Sequence, residues 1–301
     1  MADLVDGTPT SKTAARAQGD TQNVAGLEDN MEALNLQGPK DEKYRYNMKH
    51  PKRGMAIIIN NKSFDPETRQ QERKGSDVDA SNIRQQLHEL GFKPEVKTNQ
   101  TVKEMLGLMK KAGSMDHSQA DCFACVILSH GNDNGEVYGK DATVSIDTLT
   151  EPLKGNNCAS LAGKPKLFFI QACRGSKLDE GIEVTDGHGG DDIDETNTNT
   201  TYRIPAEADF LMAYSVVPGY FAWRNSREGS WFIQALCIEL EEHGEDPDFD
   251  ILKIMTRVNR RVAFDFQSNN PRIPAMNQMK QIPSIVSMLT KELYFTPKDD
   301  D

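Results

Sequence analysis

Three short apolar runs constrain the fold of this 301-residue chain more than any other feature. Residues 55–59, 122–128 and 167–170 are continuously apolar, and polar segments separate them. Continuous apolarity is typical of strands that are covered on both faces, as in a parallel sheet. Amphipathic helical patterns at 76–90 and 101–112 lie between the runs. This order predicts an α/β fold, with a mainly parallel central sheet flanked by helices on both faces.

The second half of the chain continues the pattern. Residues 208–217 and 282–289 predict two further strands, and 249–266 predict a long helix. Ser230 is expected to be the N-terminal cap of a helix that runs through Glu242. The earlier helix is likewise expected to begin with short polar capping residues, starting at Ser76.

Composition sets the boundaries of the units. Residues 1–45 cannot build a core and predict a short disordered prodomain, with order beginning at Arg53. An acidic, then Asn/Thr-rich stretch with almost no apolar residues predicts an exposed, cleavable connection. The expected organisation is a large unit at 46–186, an inter-subunit linker at 187–201 and a small unit at 202–301.

Charge and cysteine usage exclude several classes of function. The net charge of -11 argues against nucleic acid or an anionic membrane as the main partner. No apolar run approaches the ~20 residues that span a bilayer. Five cysteines are an odd number for a disulfide framework, and no secretory signal is visible at the start of the sequence. We therefore expect reduced thiols and a cytoplasmic protein.

Two of the predicted strands end in residues that carry chemistry. His130-Gly131 follows the second apolar run, and Cys173 follows the third. The carboxyl ends of parallel strands meet at one edge of a sheet, where open α/β folds place reactive groups. A histidine can deprotonate a thiol, and the amides of Gly131 and Cys173 can hold a developing oxyanion. A cysteine alone is usually core and a histidine alone a loop residue, but together they predict an acyl-transfer site, most simply a cysteine peptidase.

A metal or redox site is poorly supported. Cys122 and Cys125 spell C-x-x-C, but residues three apart on a strand point to opposite faces, so both are expected to be core side chains. Spacing identifies no carboxylate or amide that would orient His130. No metal and no cofactor is expected, because the remaining histidines lack ligand spacing with cysteines or with each other: His50, His88, His117, His188 and His243.

Several motifs in collinear order resemble one family, the caspases, cysteine peptidases that cut after aspartate. The chain is most similar to the executioner members, caspases three and seven, from about Tyr44 to Phe295. The pentapeptide Gln171-Ala-Cys-Arg-Gly175 is a local signature of that family. The other matching motifs are 53–60 (RGMAIIIN), 74–80 (KGSDVDA), 128–131 (LSHG), 206–211 (AEADFL), 217–220 (VPGY), 223–226 (WRNS), 229–234 (GSWFIQ) and 287–293 (SMLTKEL).

The resemblance implies roles for the residues of the site. Cys173 would be the nucleophile and His130 the general base and acid, with the amides of Gly131 and Cys173 as oxyanion donors. A backbone carbonyl near Gln71 would orient the histidine. The substrate aspartate would lie in a pocket formed by Arg73, Gln171 and Arg224, and two guanidiniums with an amide are well suited to a carboxylate.

The resemblance also implies subsites in the loop from Tyr214 to Trp231. Tyr214 and Trp223 would flank the second substrate position, while Asn225 and Trp231 would hold the fourth, where executioner members prefer aspartate. Arg224 backbone atoms would pair with an extended peptide. The executioner pattern has aromatic residues between Phe266 and Lys280, whereas here 267–279 are mostly polar, so the preference at these positions stays open.

A zymogen is the implied form of synthesis. The hypothesis is activation by cleavage after Asp186, which has a small following residue and a glycine-rich context; Asp191, Asp192 and Asp194 are weaker sites. In the leader, Asp6 and Asp29 are both candidates. The implied assembly is a homodimer that pairs through the 282–289 strand. Implied partners are protein substrates cut after aspartate, an initiator caspase and inhibitor-of-apoptosis proteins.

Two other functions remain as alternatives. A catalytically silent caspase-like scaffold would be expected to lack Cys173, His130 or a pocket arginine, and this chain keeps all of them. A peptidase for basic residues, in the manner of metacaspases, would want acidic residues where Arg73 and Arg224 stand.

Overall fold

A six-stranded sheet forms the centre of the computed structural model, which describes residues 42–181 and 205–298. The strands in these residues are β1 (Gly54–Asn60), β2 (Phe92–Thr98), β3 (Phe123–Leu128), β4 (Glu136–Tyr138), β5 (Thr143–Ser145), β6 (Lys166–Gln171), β7 (Phe210–Tyr214), β8 (Arg224–Asn225), β9 (Gly229–Ser230) and β10 (Ser284–Ser287). The α-helices are α1 (Ser76–Glu89), α2 (Val102–Gly113), α3 (Ile146–Thr150), α4 (Trp231–His243) and α5 (Ile251–Asp265).

The strand order is β10-β7-β6-β3-β1-β2, and every pair is parallel except β10 with β7. Leu128 at the end of β3 pairs with Asn60 on one side and with Gln171 on the other. These three strands therefore end at the same level. The residues that follow β3 and β6 leave the sheet together at its carboxyl edge, as the sequence predicts.

Two apolar cores cover the two faces of the sheet. Side chains of α1, α4 and α5 pack on one face, around Ile83, Phe232 and Val258. Side chains of α2 and α3, including Met105, pack on the other face. The predicted α/β architecture with helices on both faces is confirmed. Residues of the central strands alternate between the two cores because neighbouring side chains of a strand point to opposite faces.

The C-x-x-C pair follows that alternation. Cys122 belongs to the core beneath α1 and Cys125 to the core beneath α2, and both are free thiols. Burial raises the pKa of Cys122 to about 12. The interpretation of both residues as core side chains is confirmed.

The structure differs from the sequence predictions at several elements. Sequence reasoning missed β2, an edge strand whose polar residues and Pro94 resemble a loop more than a buried strand. The predicted cap of α1 is wrong, because Gly75, with a φ of 84°, holds the N-cap position. Ser230 holds the N-cap position of α4 as predicted, but its side chain makes no capping hydrogen bond. The two late strands are also shorter than predicted, at 210–214 and 284–287.

Order begins before Arg53, earlier than predicted. Tyr46 and Met48 are buried in the core. The Tyr46 amide donates to the Glu292 carbonyl, and the Tyr46 hydroxyl donates to Asp209 Oδ1 at 2.6 Å. The segment just before β1 is thus held by residues from near the end of the chain. The predicted linker and the proposed cleavage sites Asp6, Asp29 and Asp186 lie outside the described residues.

Among the described residues, no helix has both the length and the apolar character needed to cross a membrane.

Candidate active site

The turns after β3 and β6 bring His130, Gly131 and Cys173 to one edge of the sheet. Gly131 packs tightly on the second turn: a Cβ atom placed on it would lie 2.2 Å from the Cys173 carbonyl oxygen. Only glycine allows this approach of the two backbones. The turn that carries His130 therefore lies against the turn that carries Cys173, as the sequence predicts.

The His130 ring has a defined hydrogen bond. Its Nε2 lies 2.8 Å from the Gln71 carbonyl oxygen, the contact implied by the family resemblance. A carbonyl oxygen can only accept, so Nε2 carries the proton and the lone pair lies on Nδ1. Burial, together with the positive charges of Arg73 and Arg224, lowers the pKa of His130 to about 4, although the hydrogen bond to the Gln71 carbonyl opposes this effect. The imidazole is neutral near pH 7.

Cys173 is half-buried, and its hydrogen-bond partner is Ala222. Its Sγ accepts a hydrogen bond from the Ala222 amide at 3.5 Å, and no hydrogen bond joins it to His130 in the described part of the chain. Burial raises the pKa of the thiol, although the Ala222 amide and two arginines oppose this effect. The free site therefore holds a neutral thiol next to a neutral imidazole. Sequence reasoning missed Ala222, for which no motif signal exists.

The backbone amides of Gly131 and Cys173 are available. Gly131 and Val137 form a β-bridge, but its hydrogen bonds are made by the residues on either side of them. The Asn132 amide donates to the Glu136 carbonyl, and the Tyr138 amide donates to the His130 carbonyl. Neither the Gly131 amide nor the Cys173 amide donates to another described residue. Two unengaged N–H donors beside the sulfur are suited to an oxygen that gains negative charge.

A buried cation lies near the thiol. Arg73 is 0% exposed, and its Nη1 donates to Ser76 Oγ at 2.7 Å and to Asn61 O at 3.3 Å. Its Nε and Nη2 are buried without a partner in the described residues. Burial and the positive charge of Arg224 together lower the pKa of Arg73 to about 9. Unpaired guanidinium donors are costly to bury, and an anion is the kind of partner that would satisfy them.

Arg224 and Gln171 complete this group. Arg224 Nε donates to the Lys74 carbonyl at 2.9 Å, on the loop that precedes α1. Gln171, at the end of β6, is buried and its Oε1 has no partner among the described residues. Arg224 and Arg73 are close enough for each to affect the other electrostatically. Gln171 lies two residues before Cys173 in the chain, whereas Arg73 and Arg224 are distant in sequence and only folding brings them near the thiol.

Two of the remaining predicted site residues, Trp223 and Trp231, lie in an aromatic cluster. The rings of Trp223 and Trp231 stack at 5.5 Å between centroids, and Phe266 stacks on Trp231 at 5.6 Å. Phe221 contacts the Trp223 ring edge-on at 5.2 Å. The family resemblance implies different substrate positions for the two tryptophans, but in the structure their rings form one stack. Phe221, which packs against this stack, was not predicted from the sequence. Trp223 Nε1 is buried without a partner among the described residues.

Tyr214 and Asn225 stand apart from the stack. The Arg174 guanidinium lies 4.1 Å above the Tyr214 ring, so this face of the ring is covered. Asn225 is exposed, and its Oδ1 accepts the Arg227 amide at 2.8 Å within the β8–β9 turn. These two side chains are thus already engaged with their own neighbours in the free protein.

One cluster of potential metal ligands occurs in the described residues, on α4, but it already has cationic partners. Glu239, Glu242 and His243 have ligand atoms within 4.8 Å of one another. Arg261 lies 2.8 Å from Glu239 and 3.3 Å from Glu242, and Arg257 Nη1 lies 2.8 Å from His243 Nε2. The guanidiniums hold the positions that a cation would need, so these residues support no metal site.

Comparisons with known proteins agree with this geometry. Residues 53–294 match the family described as Caspase domain. The chain is 49% identical over 252 residues to Caspase-7 of Gallus gallus, covering 84% of this chain and 80% of that protein. It is 48% identical to Caspase-3 of Bos taurus over 83% of this chain and 87% of that protein.

A solved structure is also similar. The crystal structure of Caspase-1 from Spodoptera frugiperda matches with a TM-score of 0.78 and 44% identity, covering 86% of this chain and 95% of that chain. Both the sequence and the fold therefore match over most of the chain. The chain belongs to the caspase family, as an aspartate-specific cysteine endopeptidase of the executioner type.

Proposed function

We propose that Cys173 is the nucleophile and His130 the general base and acid of this caspase. The His130 tautomer supports the assignment: Nε2–H is held by the Gln71 carbonyl, which leaves Nδ1 to accept the thiol proton. The resulting thiolate attacks the substrate carbonyl carbon and forms a tetrahedral intermediate. The imidazolium then protonates the leaving amine, and the C–N bond breaks. Water, deprotonated by His130, hydrolyses the thioester and releases the acid product.

The neutral free site has a consequence for the order of events. The pKa of Cys173 is raised by burial and that of His130 is lowered to about 4, so a stable thiolate–imidazolium pair does not form before substrate binds. Proton transfer accompanies attack instead. The unengaged Gly131 and Cys173 amides would then donate to the oxyanion, which exists only during the reaction and is therefore stabilised more than the substrate.

Arg73, Gln171 and Arg224 form the pocket for the substrate aspartate in this proposal. The single observation that carries it is the buried Arg73 guanidinium, whose Nε and Nη2 have no partner among the described residues. A carboxylate would accept hydrogen bonds from these donors and offset the free-energy cost of burying the cation. A basic substrate residue would add a third positive charge to the same site, which disfavours a metacaspase-like specificity.

The aromatic stack and its neighbours would bind the residues that precede the aspartate. Trp223 and Tyr214 would flank the second position, with Trp231 and Asn225 at the fourth. The Trp223–Trp231 stack supports an apolar second subsite, because it presents ring faces rather than charge. Arg174 over Tyr214 and the internal contact of Asn225 would have to be exchanged for substrate contacts at their positions.

Activation would proceed by cleavage at aspartates, which is typical of the family. We place the main cut after Asp186, between a large unit at 46–186 and a small unit at 202–301, with 187–201 as the linker. Asp6 and Asp29 are the candidate cuts that remove residues 1–45. The backbone a few residues before the main cut is held in place. Lys177 forms a β-bridge with Tyr220 and Asp179 one with Lys280, close to residue 181, where the first described segment ends.

The assembly would be a homodimer of large-plus-small units. β10 is the last strand of the sheet and pairs on one side only, with β7, in the described residues; its Val286 is 45% exposed. An antiparallel pairing with a second copy would cover this edge. An initiator caspase that cuts the linker, inhibitor-of-apoptosis proteins and protein substrates are the proposed partners, in the cytoplasm.

A panel of peptides tests the proposed function. The peptides differ only in the residue at the cut: Asp, Glu, Asn or Arg. We expect the processed protein to cleave only the Asp peptide efficiently, and Cys173→Ala to abolish this cleavage while the protein stays folded. Efficient cleavage after Arg, or cleavage that survives Cys173→Ala, would disprove the assignment. The same alanine variant separates an active peptidase from a silent scaffold.

A further inference from the structure

A buried carboxylate lies beside the pocket, and the proposed mechanism does not use it. Asp79, in the first turn of α1, is 1% exposed. Its Oδ1 accepts the Ser230 backbone amide at 2.7 Å, and its Oδ2 is buried without a partner among the described residues. Burying a carboxylate with one oxygen unpaired costs free energy, so the side chain is expected to contribute something that a neutral residue would not.

The hydrogen bond of Asp79 is to strand β9, which pairs with the strand β8 that carries Arg224. Ser230 and Gly229 form β9, and β9 pairs with β8 through Arg224↔Ser230 and Asn225↔Gly229. A contact on the Ser230 amide therefore fixes the residue directly opposite Arg224. Asp79 belongs to the proposed large unit and Arg224 to the small one, so the bond joins the two units behind the pocket.

Two glycines let the β8–β9 hairpin approach α1 this closely. A Cβ atom on Gly229, which has a φ of 92°, would lie 2.3 Å from Asp79 Oδ1. A Cβ atom on Gly75, with a φ of 84°, would lie 2.4 Å from the Asn225 carbonyl oxygen. The first turn of α1 thus holds both strands of the hairpin, and side chains at either glycine would push the hairpin away.

Charge favours the same arrangement. Asp79 lies close enough to Arg73 and Arg224 to interact with both guanidiniums, each of which lowers the pKa of the carboxyl against the larger raising effect of burial. In the absence of substrate the two arginines repel each other, and Asp79 is the carboxylate that offsets this repulsion from behind.

We propose that Asp79 is a positioning residue for the aspartate pocket: it anchors the β8–β9 hairpin to α1 and so sets where Arg224 meets the substrate. The inference rests on the proposed function, because it assigns Arg224 to that pocket. Substrate aspartate and glutamate differ by one methylene, so a displaced guanidinium changes the discrimination between them. A group that only stabilised the fold would not affect that ratio.

The test is steady-state kinetics of the processed enzyme on two peptides that end in Asp or Glu. For Asp79→Ala we expect the KM of the Asp peptide to rise about tenfold, from loss of a charged hydrogen bond, while kcat changes much less. The preference for Asp over Glu falls at the same time. Asp79→Asn, which keeps an oxygen for the Ser230 amide, is expected to lie between Asp79→Ala and wild type.

Two further variants make the test decisive. Gly229→Ala leaves the carboxylate in place but forces a methyl group into its space, so it should raise KM and relax the Asp preference in the same way. Glu89→Ala, an exposed acidic residue at the far end of α1, is the matched control and should stay within about twofold of wild type. If Asp79→Ala does not fold, Asp79→Asn and Gly229→Ala are judged by the same two readouts.

The proposal is overturned if folded Asp79 variants or Gly229→Ala match Glu89→Ala in KM and in the Asp-to-Glu ratio, or if they lower kcat alone. Failure of the proposed function would look different: wild type itself would then show no preference for Asp. A wild-type preference with unaffected Asp79 variants removes only the positioning role.

Discussion

Arg73 offers the sharpest separation of function from stability. We consider Arg73→Met, which has a side chain of similar length without charge or donors. In wild type the guanidinium is fully buried, with Nε and Nη2 unpaired and Nη1 bonded to Ser76 and Asn61. If the unpaired donors serve a substrate carboxylate, the variant loses that interaction and leaves the carboxylate with fewer partners.

The expected loss of activity is large. Removing one partner of a buried, hydrogen-bonded charge pair typically costs about 2–5 kcal/mol. At about 1.4 kcal/mol for each factor of ten, kcat/KM for the Asp peptide should fall by about 30- to about 4,000-fold.

The expected effect on stability is small. Removing a buried charge that makes no ion pair among the described residues relieves a desolvation cost of several kcal/mol. The two lost hydrogen bonds of Nη1, whose donor is charged, cost about 1.5–3 kcal/mol each. These effects nearly cancel, so the free energy of unfolding should stay within about 1–2 kcal/mol of wild type.

The pH dependence of the free energy of unfolding gives an independent test of whether Arg73 is buried as a cation. Burial lowers the pKa of Arg73 to about 9, below its ordinary value, so the folded protein releases this proton more readily than the unfolded chain. A lowered pKa on a cation destabilises the folded state while the cation is charged. The stability of wild type relative to Arg73→Met should therefore rise as pH increases through about 9.

The measurements are peptide kinetics and urea unfolding of Arg73→Met at several pH values. Arg84→Met, an exposed arginine on α1, is the control and should leave both quantities unchanged. The reasoning is refuted if Arg73→Met keeps more than about a tenth of wild-type kcat/KM, because the donors would then not serve the substrate. It is equally refuted if the variant unfolds with a loss well beyond about 3 kcal/mol, since Arg73 would then be structural.

Four other predictions concern the thiol, the histidine, the glycine beside them and a buried tyrosine. Alkylation of Cys173 by iodoacetamide should still accelerate above pH 9, because burial raises the pKa of the thiol, and a plateau below pH 8 would contradict this. Protonation of His130 should reduce kcat/KM only as pH falls towards about 4, and an NMR titration of the ring with a midpoint near 6.5 would contradict it. Gly131→Ala should lower kcat/KM about 100-fold by forcing its Cβ against the Cys173 carbonyl, with unfolding measured alongside. Tyr46→Phe should lower the free energy of unfolding by about 2 kcal/mol through loss of the hydrogen bond to Asp209, and unchanged unfolding would show that this contact contributes nothing.

Local patterns were enough for the central architecture. The continuous apolar runs of β1, β3 and β6 predict buried parallel strands because a strand covered on both faces needs apolar residues at every position. The edge strand β2 escaped the same reasoning, since an edge position tolerates charges and Pro94. The caps failed for another reason: on α1 the side chains of Ser76 and Asp79 make tertiary contacts, with Asn60 and with the Ser230 amide, instead of capping the helix. The Ser230 side chain makes no capping hydrogen bond at α4.

The sequence by itself therefore determined the sheet, the two strand ends that carry His130 and Cys173, and, by its motifs, the family. Only the tertiary structure decided the rest of the site. It brought Arg73 from the loop before α1 and Arg224 from β8 near Cys173, left Arg73 donors unpaired, and set Asp79 behind them. Strand periodicity is a local property that neighbouring residues express, whereas burial and charge coupling depend on residues distant in the chain, which no local pattern records.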